Sequence, residues 1–115
     1  MKALLGQLAC RIGDVEGNTA RAIGAIRSNP DVDIAVFPEL YLCGYTYRDL
    51  DAISRSPDSG EMREVAAAAA ETETAVVIGF AERMSKGVAN SAACIDSDGS
   101  LAGVYRKTHL FESEA

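Results

Sequence analysis

The stretch Asp33-Ile34-Ala35-Val36-Phe37-Pro38-Glu39-Leu40-Tyr41-Leu42-Cys43-Gly44-Tyr45 decides the fold. Ile34 to Phe37 is a short continuous apolar run, the pattern of a strand covered on both faces. Pro38 stops it, because proline has no N–H for the ladder and its ring fixes φ. Glu39 therefore stands at the carboxyl end of a buried strand, where ligands bind in open α/β sheets. Leu40, Tyr41 and Leu42 surround the acid with apolar groups. Desolvation there is expected to push its pKa upward and make it a general base. The competing reading is an acid that ends a strand and meets water.

On either side of this stretch the pattern gives alternating strands and helices. Lys2 to Cys10 reads as a first strand, with Gly6 marking a close backbone approach. Arg11 to Gly17 is a loop, and Asn18 is the expected N-cap of a helix running to about Ser28. Ala22, Ile23 and Ile26 form its apolar stripe, and Asn29-Pro30 ends it. The strand at Asp33–Phe37 completes a β-α-β unit. After Gly44 the chain reads as irregular, with Tyr45, Tyr47, Arg48, Asp49 and Leu50 as a polar-aromatic cluster. The two tyrosines either line a pocket or belong to a surface loop.

Ser56 to Gly60 is turn chemistry, and Asp58 with Glu61 has capping-box spacing. A helix over about Glu61 to Thr72 follows, rich in alanine. Ala75 to Ala81 is a third buried strand, Glu82 to Val88 a hairpin loop, and Ala89 to Asp96 a fourth strand. Asp98-Gly99 marks a tight turn into a fifth strand over Leu101 to Lys107, antiparallel to the fourth. The order β-α-β-α-β-β-β predicts an α/β fold: a mixed sheet with helices on one face.

The chain has 115 residues, and they are read as one domain, 1–115. The formal net charge of -6 offers no basic stripe for phosphates and argues against a nucleic-acid partner. Cys10, Cys43 and Cys94 are scattered, with no zinc-ligand spacing. No phosphate-binding glycine loop is visible, so no metal or cofactor is expected. Free cysteines fit a reducing compartment. The amino terminus turns polar too soon for a signal peptide, and no run is long enough for a membrane span. A cytoplasmic location, with no membrane partner, is the expectation.

Two motifs carry a family resemblance. Phe37-Pro38-Glu39-Leu40 with Gly44-Tyr45 resembles the first signature of the nitrilase, or carbon–nitrogen hydrolase, superfamily. Tyr105-Arg106-Lys107-Thr108-His109-Leu110 resembles its second. Gln7-Leu8, Gly13-Asp14-x-x-x-Asn18, Asn90-Ser91-Ala92 and Asp96-x-Asp98-Gly99 match in order. The resemblance implies an α-β-β-α sandwich, present here as its β-α-β-α-β-β-β portion, and a Glu-Lys-Cys mechanism on an amide, nitrile or carbamoyl substrate. It implies Glu39 as the general base, Lys107 as the cation facing the oxyanion, and Tyr45 as a substrate-binding residue. A homodimer is implied as well.

The family's cysteine belongs to a third motif, beyond Ala115. None of Cys10, Cys43 and Cys94 matches it, so the chain reads as an amino-terminal part, truncated and inactive alone. Cys43 is assigned a structural or pocket role. His109, Glu112 and Glu114 receive no role. Two other readings compete. One is a metal-dependent phosphodiesterase of similar sandwich shape, in which Asp33 and Glu39 flank a strand and hold Mg²⁺. The other is a non-catalytic module that pairs through an open sheet edge.

Overall fold

The structure is a computed structural model. It describes residues 1–6, 9–46 and 48–110, except for the side chains of 108–110. The Gln7-Leu8 pair, Tyr47, Glu112 and Glu114, and the His109 side chain, lie outside the described residues.

Five strands form one mixed sheet in the order β1-β2-β3-β4-β5. β1 (Ala3–Leu5), β2 (Ile34–Val36) and β3 (Ala75–Arg83) run parallel; β4 (Val88–Ile95) and β5 (Leu101–Leu110) continue antiparallel. Two long helices, α1 (Val15–Ser28) and α3 (Gly60–Thr72), form the parallel crossovers and pack on each other. This is the mixed α/β sheet expected from the pattern, with both helices on one face. No helix among the described residues is long and apolar enough to cross a membrane.

Strand alternation sorts the two faces. Val76, Ile78 and Phe80 of β3, with Ala93 and Ile95 of β4, are buried beneath the helices against Ile26, Val65, Ala68 and Ala69. The opposite face is open. Val77, Ala92 and Cys94 are half-buried there, and Leu5 and Tyr105 are 65% and 70% exposed.

Several boundaries move, each for a local reason. α1 begins four residues earlier than expected, because Asp14, not Asn18, caps it by accepting from the Gly17 amide at 3.0 Å. Asn18 lies inside the helix. Its buried amide donates to the carbonyls of Arg11 (2.8 Å) and Leu42 (3.0 Å), tying the first loop to the turn after β2. α3 is capped by Ser59, which accepts from Met62, whereas Asp58 accepts from Ser56. β1 is shorter than expected and β3 longer, taking in Glu82 and Arg83. Leu50–Ile53 forms a single helical turn, α2, within the segment read as irregular.

Two glycines allow the layers to approach. A Cβ on Gly6 would collide with the Phe37 ring. A Cβ on Gly79, mid-β3, would collide with the Pro38 carbonyl and lie 2.5 Å from the Leu40 nitrogen. The chain leaving β2 thus rests directly on β3. Phe37 N–H donates to Val77 (2.8 Å) and Leu42 N–H to Gly79 (3.2 Å). Replacing Gly79 by alanine should destabilise the fold by about 1–3 kcal/mol through overpacking. Gly103→Ala, where the added methyl meets nothing within 4 Å, should cost far less. Urea unfolding of the two variants reads the difference.

Candidate active site

The turn that carries Glu39 is built from its own backbone. Tyr41 N–H donates to the Pro38 carbonyl (3.1 Å), and the amides of Cys43 and Gly44 donate to Leu40 (3.2 and 2.7 Å). Leu40 adopts φ +54° and Gly44 φ +77°. A bulky residue in the left-handed region is uncommon and is held there by its surroundings. Leu40, Tyr41, Leu42 and Cys43 are all at most 1% exposed. Burial of these four side chains anchors the turn and forces the residue before them outward.

Glu39 therefore faces away from the apolar cluster, and its side chain is 36% exposed. Lys107 reaches it from β5, with Nζ 2.6 Å from Oε2. The Tyr45 hydroxyl donates to Oε1. All three residues singled out from the sequence meet at one carboxylate. A depression of about 170 Å³ adjoins it, lined by Phe37, Glu39, Gly79, Asn90, Ser91, Ala92, Tyr105 and Lys107. Tyr45 stands on Glu39 but is not among these lining residues.

The electrostatics differ from the sequence expectation. Glu39's carboxyl is held below its usual range, chiefly by hydrogen bonding from Lys107, then from Tyr45, with a smaller contribution from Asn90. Desolvation acts upward, as expected, but is outweighed because the acid is not buried. Asn90 was quoted within a motif but given no role; it occupies β4 beside the carboxylate and is 8% exposed.

Cys43 is a fully buried thiol whose Sγ–H donates to the Gly44 carbonyl at 3.2 Å. Burial pushes its pKa up to about 11, so it stays protonated near neutral pH. That environment suits a structural residue. Asp33 does not join Glu39. It lies at the opposite end of β2 and accepts from the Lys2 backbone N–H at 2.7 Å. The two carboxylates of the phosphodiesterase reading do not converge.

A model of the carbon–nitrogen hydrolase family matches residues 3–115. The chain belongs to that family. Among carbon–nitrogen hydrolases and their relatives, it is 37% identical to an (R)-stereoselective amidase of a Pseudomonas species, over 99% of this chain and 42% of that protein. It is 32% identical to a probable nitrilase of Schizosaccharomyces pombe, over 94% of this chain and 43% of the other. A crystal structure of an N-terminal amidase superposes with a TM-score of 0.81 at 26% identity, over 99% of this chain and 29% of that one. The chain thus spans less than half the length of these carbon–nitrogen hydrolases. Family membership removes the phosphodiesterase alternative.

The pairing can be read by titration. The Glu39 side-chain ¹³C midpoint should lie below the usual glutamate value of 4.5. Lys107→Ala should move it upward. Because the folded-state pKa is the lower one, any stability from the pair is present above the unfolded pKa and is lost as pH falls through the folded midpoint. Water around both groups keeps that contribution small. An unchanged midpoint in Lys107→Ala would mean that the ion pair is not formed in solution.

Proposed function

We propose that the whole protein carrying this chain hydrolyses a non-peptide carbon–nitrogen bond of a small amide or nitrile, with Glu39 as general base and Lys107 as the oxyanion-stabilising cation. The observation that supports this reading most is the 2.6 Å contact between Lys107 Nζ and Glu39 Oε2 at the mouth of a depression. Amidases and a nitrilase among the relatives fit the substrate class.

The chemistry needs a thiol beside the pair. Glu39 accepts the thiol proton, and the thiolate attacks the carbonyl or nitrile carbon. Negative charge develops on the substrate oxygen or nitrogen, and Lys107 faces it. For an amide, Glu39 returns the proton to the leaving amine and an acyl-enzyme remains. Water, deprotonated by Glu39, then attacks the acyl carbon; the carbon–sulfur bond breaks, the acid leaves, and the departing thiolate takes back the proton from Glu39.

The depressed pKa keeps Glu39 ionised at neutral pH, the form able to take a proton. Lys107 weakens that base while paired with it. As charge grows on the substrate, Lys107 shares its donors with the new anion, and Glu39 becomes more basic at the step where it must accept a proton. No cysteine lines the depression among the described residues, so the nucleophile is assigned to sequence outside these 115 residues, and the chain alone to an inactive state.

In the whole protein, Glu39→Gln should lower kcat for amide hydrolysis by about 10²–10⁴-fold. Lys107→Ala should lower it by about 10²–10³-fold. Both variants should retain the native circular dichroism. Full turnover by either one, measured as ammonia release, would contradict the assigned role.

A further inference from the structure

β5 does not run regularly to its end. Ser91 of β4 pairs with Arg106, but the next rung pairs Ala89 with Leu110. Three residues of β5, 107–109, stand opposite Asn90 alone. Lys107 is thus the first residue of a bulge, and the ladder does not by itself fix where its side chain is aimed.

On the opposite side of the strand lies a second charged cluster that the proposed chemistry does not use. Glu82 was placed in a hairpin loop by its sequence, but it sits in β3, two residues after Phe80, with its side chain only 3% exposed. Arg106 grips it with both ends of the guanidinium fork, Nε to Oε1 at 2.6 Å and Nη2 to Oε2 at 2.7 Å. Ser91 Oγ donates to Oε1 at 2.8 Å. The cluster joins β3, β4 and β5 in one row.

The Glu82 end of the cluster is itself fixed. The segment before α3 pairs alongside it, with Arg55 N–H donating to Ala81 (2.9 Å) and Arg83 N–H donating to Arg55 (3.0 Å). Arg106 is therefore tied, at the last regular rung before the bulge, to a stretch of β3 that carries an additional backbone pairing. Fixing Arg106 sets where the bulge begins, and Lys107, the first residue of that bulge, reaches Glu39 on the open face.

Stability alone is a weak reason for this arrangement. A buried carboxylate paired with a half-exposed guanidinium recovers its desolvation cost only with good geometry, and an apolar replacement is often as stable. A planar two-point fork supplies angular definition, which a point charge does not.

We propose that the Glu82–Arg106 fork, with Ser91, is a positioning device that pins β5 at its last regular rung and so delivers Lys107 across the bulge onto Glu39. Its catalytic consequence rests on the proposed function; its geometric content does not.

The test uses the whole protein with ¹³C-labelled glutamate side chains, the Glu39 signal being assigned by its loss in Glu39→Gln. In Glu82→Gln the Glu39 titration midpoint should rise toward the position it takes in Lys107→Ala. Arg106→Lys, which keeps a cation but loses the fork, should shift it in the same direction and serves where Glu82→Gln does not fold. Ile95→Val, buried on the same face but remote from the fork, should lower the melting temperature and leave the midpoint unchanged.

Where the wild type hydrolyses an amide, the two fork variants should lose up to about 100-fold in kcat with KM little altered. A folded Glu82→Gln or Arg106→Lys protein with the wild-type Glu39 midpoint would overturn the proposal. A wild type that hydrolyses no amide would count against the proposed function instead, and the titration would still decide the positioning.

Discussion

Everything in this structure that bears on chemistry depends on one close contact between opposite charges, the ammonium of Lys107 against the carboxylate of Glu39. The two residues belong to segments distant in sequence, and neither segment could bring them together alone. β2 ends at a proline, and the turn after it is pinned by four buried side chains. β3 accepts that turn on its surface only because Gly79 lacks a Cβ. The β4–β5 hairpin then runs back antiparallel and brings Lys107 level with the same spot. A side chain on Gly79 would lift the carboxylate; a slip of β5 by one residue would turn the lysine to the other face.

Water decides the strength of the contact. With 36% and 51% of their side chains exposed, Glu39 and Lys107 interact through a largely aqueous medium. In such a medium an ion pair is worth little for stability. Its value here lies in arrangement: a proton acceptor, a cation and a phenol already converge before any substrate arrives. Groups placed in advance do not have to be reorganised when charge moves. The apolar, half-buried surface around Val77, Ala92 and Cys94 would exclude water if covered. The same contact would then act at a lower effective dielectric constant and be several times stronger.

Much of this was legible in the residues. The apolar runs gave the succession of strands along the chain, Pro38 the strand end, and Asp98-Gly99 the last hairpin, where Gly99 adopts φ +87°. Glu39, Lys107 and Tyr45 could be singled out because their motifs stand in order along the chain. What escaped has a common physical character. Asn18 looks like a cap because asparagine favours caps, but a buried amide can instead satisfy two carbonyls from distant loops. Asp58 and Ser59 are both good caps, and tertiary packing chooses between them. Glu82 reads as a loop residue because a charge after an apolar run usually meets solvent. Only its partner, a whole hairpin away, makes it an interior residue. The downward shift at Glu39 escaped for the same reason: desolvation is local and readable, whereas the lysine that outweighs it comes from another strand.

Two adjacent residues of one strand thus divide the labour. Arg106 turns inward to a buried carboxylate, and Lys107 turns outward to an exposed one. Each is a cation, and from composition alone they are interchangeable. The difference lies in geometry: a guanidinium is a rigid two-point clamp, suited to holding a strand in place, whereas an ammonium on a four-carbon stem can move its three donors between partners. Under the proposed function, a group that pairs with Glu39 at rest and with a developing anion during reaction needs the second kind. The strand that presents it needs the first. The order Arg-Lys therefore carries directional information: exchanging the two would set the flexible charge against the buried Glu82 and the rigid one at the depression, with composition, net charge and strand propensity almost unchanged.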